Sequence, residues 1–326
     1  MMRRSLAVLD DQTVEVVTLV QGALRAEILT LGATVWDLVL TLPEGPRPLV
    51  LKHADPLGYL SNPAYLGVTA GRYANRIAQG RFELDGQRCE VDCNEKGRQH
   101  LHGGTSGVSR KNWSVVAVSE NSVTLELLSS AGDNGFPGTA RLQCRYTLDA
   151  PATLRVEYQA VSDAVTVMNL AHHSYFTLQP GSDSRDHRLE IAANFYTPVD
   201  ADLIPTGEIR RVAETPFDFR TLRRIRQAPD HPYDINFVLR KPAGHFGPIA
   251  RLIGPDERLS CAIWTDAPGF QVYDGHGLPT PHGAYAGLAL EPQFFPDSPN
   301  QPHFPSARLA PGETYKQRTE YRFAPL

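Results

Sequence analysis

The chain has 326 residues, of which 41% are hydrophobic and 21% charged, and its formal net charge is −4. This composition is ordinary for a globular protein. The lack of a basic excess argues against a nucleic-acid partner, because binding phosphates requires clustered Lys and Arg. No apolar run approaches the length of about 18 residues that spans a membrane. The opening MMRRSLAVLDDQ has too few apolar residues before Asp10 for a secretory signal, which predicts a cytoplasmic protein.

Strands with one polar face recur along the chain. SVTLELL at 122–128 and LRVEYQA at 154–160 alternate apolar with polar residues, and YKQRTEYRF at 315–323 alternates charged with mostly aromatic ones. WSVVAV, followed by the turn-like SENS, predicts a hairpin with SVTLELL. Turn signals such as LDGQ at 84–87 separate these runs. FDFRTLRRIRQA at 217–228 is the one modest candidate for a helix.

Gly and Pro, 26 of each, are spread along the whole chain and mark no linker, and no repeat of fixed period is present. We therefore predict an all-β protein, a single large antiparallel β-sandwich over residues 1–326, with two packed β domains as the alternative. The four cysteines include one close pair, which is too little for a disulfide framework or a zinc site. They are predicted to be free thiols; they are Cys89, Cys93, Cys144 and Cys261.

Two glycine-flanked segments carry polar candidates. GRYANRI at 71–77 places Asn75 beside Arg76, a pair suited to hydrogen-bonding neutral hydroxyls, although a surface turn with an ion-paired Arg is the alternative. RQHLHGG at 98–104 puts His100 and His102 on one face if it is extended. That spacing leaves three hypotheses open: a metal site, a histidine that transfers protons or donates hydrogen bonds, or a structural role.

Two further candidates belong to strand-like segments. VMNLAHHSYFTL at 167–178 reads as one strand, whose alternation puts His173 and Tyr175 on one face and His172 on the other. Glu291 ends the apolar run GLAL, where a buried carboxylate is costly unless it is paired or used chemically. The alternative for Glu291 is a cap on loop amides.

A histidine and a glutamate without an activated Ser or Cys nucleophile favour general acid–base chemistry. A glycosidase would instead need two carboxylates beside the bond, and Asp234 with Glu291 keeps that class open.

Five segments together resemble the aldose 1-epimerase (galactose mutarotase) family. They are GRYANRI, LHGG, NLAHHSYFTL, YDINFVL and LEPQFFPDSPNQPHFPSARLAPGETY, in this order between about residues 65 and 323. The resemblance implies a galactose mutarotase-like supersandwich that interconverts the α and β anomers of an aldose such as galactose or glucose. It implies no metal and no organic cofactor, a small-molecule aldose as partner, and a monomer or homodimer. A non-catalytic sugar-binding sandwich and a sugar-phosphate epimerase of the same fold are the alternatives.

The resemblance also assigns roles to individual residues. Glu291 is implied to be the general base, His173 the general acid and His102 a third catalytic residue. The implied substrate-binding residues are Asn75, Arg76, Asp234, Gln271 and Tyr175. We then expect Glu291 to be ionised while His173 is protonated.

Three departures from the family pattern leave the preferred sugar open. His172 stands where the family usually has Asn, and Ile235 of YDIN stands where it has His. YDGHG, with Asp274 and His276, stands where the family tends to have YTGN.

Overall fold

The structure, a computed structural model, describes residues 2–9, 11–227, 231–242 and 244–326. These residues contain no α-helix and many strands. The strands are β1 (Met2–Leu9), β2 (Gln12–Gln21), β3 (Leu24–Leu29), β4 (Thr34–Leu42), β5 (Gly45–Pro48), β6 (Thr69–Ala70), β7 (Arg76–Ile77), β8 (Arg81–Leu84), β9 (Gln87–Glu90), β10 (His100–Leu101), β11 (Ser114–Val118), β12 (Ser122–Ser129), β13 (Ala140–Asp149), β14 (Thr153–Ser162), β15 (Thr166–Val167), β16 (Ala171–His172), β17 (Tyr175–Phe176), β18 (Arg188–Ile191), β19 (Ala193–Thr197), β20 (Arg210–Arg211), β21 (Arg223–Arg224), β22 (Asp234–Leu239), β23 (Gly247–Ile253), β24 (Leu259–Thr265), β25 (Gly269–Tyr273), β26 (Leu288–Gln293), β27 (Arg308–Leu309) and β28 (Tyr315–Pro325). Short 3₁₀ turns lie at Pro56–Ser61, Ala78–Gly80, Val108–Arg110, Asp133–Gly135, Ser184–Asp186 and Ser298–Asn300.

Three antiparallel sheets hold most of these strands. The first has the order β1-β2-β3-β4-β5, and the second the order β11-β12-β13-β14-β28-β24-β23-β18-β21. The third, with the order β17-β26-β25-β22-β19-β20, carries the candidate site. The predicted all-β, antiparallel fold class is therefore confirmed.

One large hydrophobic cluster joins the three sheets. Val17 comes from the first sheet, Leu142 from the second and Phe270 from the third, and all three are fully buried. Sheets that each cover one apolar face in this way form the packed layers of a sandwich. The four cysteines are free thiols, as expected. Within the described part of the chain, no helix is long and apolar enough to cross a membrane.

The strands predicted from alternation are present. SVTLELL lies in β12, LRVEYQA in β14 and YKQRTEYRF in β28, and β11 forms the expected hairpin with β12. β14 alternates almost residue by residue between buried and less buried positions. LDGQ is the turn between β8 and β9, where Asp85 and Gly86 both have positive φ, as such tight hairpins require.

The predicted helix at 217–228 is wrong. Its described residues, 217–227, are turns and bends around the two-residue strand β21, and Ala228 lies outside the described residues. The side chain of Arg223 donates to the carbonyls of Asp218 and Pro216 at 2.7 and 2.5 Å and covers the ring of Phe219. In a helix these carbonyls would accept from backbone N–H groups. Here the Arg223 side chain satisfies them, which stabilises an irregular backbone conformation.

Candidate active site

The register of the third sheet places polar side chains in rows on one face. Glu291 of β26 pairs with Gln271 of β25, which in turn pairs with Asn236 of β22. Two residues along, Tyr273 pairs with Asp234 on the same face, since side chains alternate. The residues between them turn the other way, into the core cluster: Leu290, Val272 and Ile235. Ile235 is therefore absent from the lining of the cavity described below.

The segment VMNLAHHSYFTL is not the single strand that we predicted. It contains the end of β15, then β16 and β17, and β16 and β17 pair with different partners, β6 and β26. The prediction that its two histidines face opposite ways is nevertheless confirmed. His172 lies among Tyr146, Phe176 and Tyr321, with ring centroids 5.8–6.4 Å away. His173 faces the cavity.

The LHGG segment brings His102 against Asn75. The backbone N–H of His102 donates to the Asn75 carbonyl at 3.1 Å, and the Asn75 N–H donates to Nδ1 of His102 at 3.2 Å. Gly103 makes this approach possible: its φ is +92°, and a Cβ there would lie 1.7 Å from the carbonyl oxygen of Gly71. This position therefore requires glycine.

These elements enclose a cavity of about 420 Å³. Seven of the eight residues predicted for the site line it: Asn75, Arg76, His102, His173, Tyr175, Asp234 and Glu291. Gln271, the eighth, lies behind Asp234 and donates its Nε2–H to the Asp234 carboxylate at 2.6 Å. A volume of this size is typical of small-molecule sites.

Two residues in contact with the predicted site residues were missed by sequence reasoning. Glu95 receives two hydrogen bonds from the Arg76 guanidinium, both 2.8 Å, and Asp234 lies 3.7 Å from the same group. Tyr65 stacks against His102, with ring centroids 4.6 Å apart. No local pattern marks either residue, because both come from loops that only the tertiary fold brings to the site.

Two other polar residues, from the RQHLHGG and GRYANRI segments, lie away from the cavity. His100 is buried against Phe136, its Nδ1 is 2.7 Å from the carbonyl of Asp92, and it does not line the cavity. Arg72 is 1% exposed and donates to Ser129 and to backbone carbonyls, which makes it a structural residue. His100 and His102 therefore do not converge on a metal.

Another trio has the composition of a metal site. His102, His173 and Glu291 each offer one atom, all within 4.8 Å of one another. However, Nδ1 of His102 accepts from the Asn75 N–H, which places the proton of the neutral ring on Nε2. A metal-bound histidine has the opposite arrangement, because its remote nitrogen donates outward. The trio is therefore arranged to donate and accept hydrogen bonds.

The two central groups are a buried, coupled pair. His173 Nε2 lies 3.5 Å from Glu291 Oε2. Burial raises the pKa of Glu291 well above its usual range, an effect that Asp234 adds to and Arg76 opposes. Burial lowers the pKa of His173 to about 4, and burial followed by nearby positive charge lowers the pKa of His102. The shifts of Glu291 and His173 both act toward the uncharged forms and against the ion pair that we expected.

Burial of histidines predicts a steep loss of stability in acid. The pKa values of His100, His173 and His187 are lowered to about 4 and that of His172 to about 3, and the pKa of His102 is also lowered. Below pH 6.5 these rings are protonated in the unfolded chain but stay neutral in the folded chain. Their contribution to the free energy of unfolding is therefore complete above pH 6.5 and is lost as the pH falls. Glu291, Asp266 and Asp297 act in the opposite direction because their pKa values are raised, but the histidines outnumber them. We expect the free energy of unfolding to fall as the pH drops from 6.5 toward 4, by about 1.4 kcal/mol per pH unit for each ring that stays neutral in the folded chain.

Urea titrations between pH 7 and pH 4.5 measure this slope. His172→Phe should reduce it by about one proton, or about 1.4 kcal/mol per pH unit, whereas the same change at the exposed His245 should leave it unaltered. A slope that His172→Phe does not change would contradict the assignment of His172 as a neutral core residue.

Comparison with known proteins identifies the family. The family model described as aldose 1-epimerase matches residues 15–322. The chain belongs to the aldose 1-epimerase family. An aldose 1-epimerase from Escherichia coli strain K12 is 35% identical over 334 residues, covering 96% of each chain. A galactose mutarotase from Homo sapiens is 35% identical over 328 residues, covering 96% of this chain and 94% of that one.

Solved structures of this family have the same fold. A GalM/aldose epimerase homologue from C. elegans superposes with a TM-score of 0.91 at 28% identity, covering 96% of this chain and 99% of that one. The galactose 1-epimerase from Lactobacillus acidophilus gives 0.88 at 26% identity, covering 99% and 98%. The predicted family, the mutarotase-like fold and the prediction of a carbohydrate isomerase are thus confirmed.

Proposed function

We propose that the chain interconverts the α and β anomers of a free aldose, galactose or glucose, by general acid–base ring opening and closure. The observation that supports this most directly is the buried contact between His173 and Glu291, 3.5 Å apart at a cavity of sugar size. Residues 1–326 act as one domain in this proposal, since the main core cluster joins all three large sheets.

In the proposed reaction Glu291 takes the proton of the C1 hydroxyl while His173 delivers a proton to the ring oxygen. The bond between C1 and the ring oxygen breaks, and C1 becomes an aldehyde. Rotation about C1–C2 presents the other carbonyl face, and reclosure with reversed proton transfers gives the other anomer. Each positioned proton transfer contributes about 10²–10⁴-fold.

The proton count of this pair suits the reaction. An ionised Glu291 with protonated His173, and a protonated Glu291 with neutral His173, contain the same number of protons. The first is the form before ring opening and the second is the form after it. The buried site favours the second, while the Arg76 guanidinium favours ionised Glu291. Reclosure reverses both proton transfers, so the reversible reaction passes through both forms in turn.

The surrounding groups are proposed to hold the sugar hydroxyls. Arg76 offers a guanidinium fixed by Glu95, and the Asp234 carboxylate accepts from hydroxyls while Gln271 holds it in place. His102 offers its Nε2–H, so it donates and does not exchange protons, because its lowered pKa keeps it neutral. Asn75 and Tyr175 also line the cavity.

Polarimetry of freshly dissolved α-galactose, α-glucose and a panel of other aldoses tests the proposal. We expect the enzyme to accelerate the approach to the equilibrium rotation for at least one of them. Calorimetric binding without acceleration would instead indicate a non-catalytic sugar-binding protein. A sugar-phosphate substrate is less well supported: within the described part of the chain Arg76 is the one Lys or Arg lining the cavity, and two carboxylates already face it.

Glu95→Gln should raise KM for the aldose about tenfold with a smaller change in kcat. The bidentate ion pair that holds Arg76 becomes a single hydrogen bond to a neutral amide oxygen, so the guanidinium is less well positioned to bind hydroxyls. Initial-rate polarimetry at several sugar concentrations separates KM from kcat. Glu90→Gln, at an exposed glutamate paired with Arg88, is the matched control and should change neither. An unchanged KM in Glu95→Gln would refute the positioning role.

A further inference from the structure

Two residues of the YDGHG stretch form a carboxylate–histidine pair at the cavity. Asp274 Oδ1 lies 2.8 Å from Nδ1 of His276 and also accepts from the His276 backbone N–H at 3.1 Å. Because a carboxylate only accepts, the proton of the neutral ring is on Nδ1, and Nε2 is left to accept from a ligand. The His276 side chain lines the cavity and is 37% exposed, whereas that of Asp274 is fully buried. The pair therefore offers a hydrogen-bond acceptor at the cavity wall.

The fold holds this pair in place. Asp274 Oδ2 accepts from the backbone N–H of Tyr233 at 3.0 Å, and the Asp274 N–H donates to the Tyr233 carbonyl at 3.0 Å. On the other side of His276, the backbone N–H of Gly277 donates to Oη of Tyr273 at 2.7 Å. Burying a carboxylate is costly unless it is hydrogen-bonded, and the bonds that Asp274 accepts offset that cost. They also fix the His276 ring before a ligand binds.

His276 stands apart from the reacting pair along the cavity wall. The ring of His173 contacts that of Tyr175, which contacts that of Tyr273, which contacts that of His276, with centroids 5.2, 6.0 and 5.0 Å apart. All four residues line the cavity, so two tyrosine rings separate the histidines. In a pyranose whose C1 and ring oxygen lie at Glu291 and His173, the carbons opposite that bond are C3 and C4. Their hydroxyls are the ones directed away from the reacting pair.

We propose that His276 accepts a hydrogen bond from the C3 or C4 hydroxyl of the aldose and so determines specificity at that carbon. The inference rests on the proposed function, because that function places C1 at Glu291 and His173. A ring nitrogen in a fixed position discriminates between aldoses that direct this hydroxyl differently, as glucose and galactose do at C4. Asp274 is a positioning residue, since it does not touch the sugar but sets the orientation and the tautomer of the ring.

His276→Ala tests the contact when it is combined with deoxy sugars. With whichever of glucose and galactose is the better substrate, KM should rise about fivefold with little change in kcat, because one neutral hydrogen bond to the bound sugar is lost. The 3-deoxy and 4-deoxy forms of that sugar identify the hydroxyl. With the form that lacks it, the same substitution should change KM by no more than about twofold. His245→Ala, at an exposed histidine that does not line the cavity, is the matched control and should leave every KM unaltered.

Asp274→Asn tests the positioning role. An amide N–H that donates to Nδ1 moves the ring proton to Nε2, which then donates and no longer accepts. KM for the parent aldose should rise, and adding His276→Ala should raise it no further. Nitrogen-15 NMR of the ring gives an independent readout: Nδ1 should be the protonated nitrogen in the wild type and Nε2 in Asp274→Asn. A purely structural role would lower the melting temperature without changing the tautomer.

Several outcomes would overturn the inference while leaving the proposed function intact. One is an unchanged KM in His276→Ala, and another is an equal rise in KM for the parent aldose and both deoxy sugars. A lower kcat at constant KM would also overturn it, because the ring would then act on the reaction and not on a distant hydroxyl. If the wild-type enzyme accelerates mutarotation of no aldose, the proposed function fails, and the inference fails with it.

Discussion

Glu291→Gln is expected to lower kcat for mutarotation by about 10²–10⁴-fold. The amide has nearly the same shape as the carboxylic acid but cannot take the proton of the C1 hydroxyl. Burial already favours the uncharged form of Glu291, so the amide replaces that form with little change in the free energy of unfolding. The sugar is held by other groups, and its affinity should change by no more than a few fold. Polarimetry gives kcat and calorimetry gives Kd.

The matched control is Glu320→Gln. Glu320 is also a buried carboxylate, 4% exposed, but it lies in β28 and pairs with Arg318 and Arg322, away from the cavity. This variant should lose stability while the folded enzyme keeps its activity. The opposite pattern, with activity kept in Glu291→Gln and lost in Glu320→Gln, would remove Glu291 from the mechanism.

Local alternation was sufficient to predict the long strands and insufficient for the short ones. β12 and β14 follow their sequence pattern because one face of each is solvated and the other is buried. β16 and β17 contain only two residues each, so no periodic pattern marks where they end. The segment 217–228 was a candidate for a helix, but Arg223 bonds to carbonyls within its own loop, and such local bonding leaves no periodic signal.

Seven of the eight predicted site residues line one cavity, whereas their arrangement could not be predicted. The family motifs identified Glu291, His173 and His102 as candidates. Strand pairing between distant segments decides which side chains share a face, and the motifs do not show that pairing. Tyr175 meets Ala289 across the sheet, for example, more than a hundred positions along the chain. Gln271 was expected to bind sugar directly, yet the structure places it behind Asp234.

The protonation states could not be predicted from residue types. The ion pair between His173 and Glu291 was expected from their roles as acid and base, whereas burial lowers the pKa of His173 and raises that of Glu291. Burial is a property of the whole fold. The sequence indicated which two residues form the pair, but not the burial that shifts their pKa values.

Gly103→Ala is expected to lower the free energy of unfolding by about 4 kcal/mol, near the upper end for single substitutions. The added methyl would lie 1.7 Å from the carbonyl oxygen of Gly71 and 2.3 Å from its carbon, and both atoms belong to the backbone. No side-chain rotation relieves this contact, so the two loops must separate. His102 and Asn75 are held together by those loops, and the fraction that remains folded should also lose activity. Urea unfolding, with an unchanged m value, measures the change.

Gly86→Ala separates the clash from the strain of a positive φ. Gly86 has φ +78°, similar to the +92° of Gly103, but a Cβ there would meet nothing within 4 Å. Its substitution should therefore cost only about 1 kcal/mol, the usual penalty for a left-handed residue with a side chain. Equal losses in the two variants would mean that backbone strain alone accounts for the effect. A much larger loss at Gly103 would show that the close approach of the LHGG and GRYANRI loops is what positions His102 at the cavity.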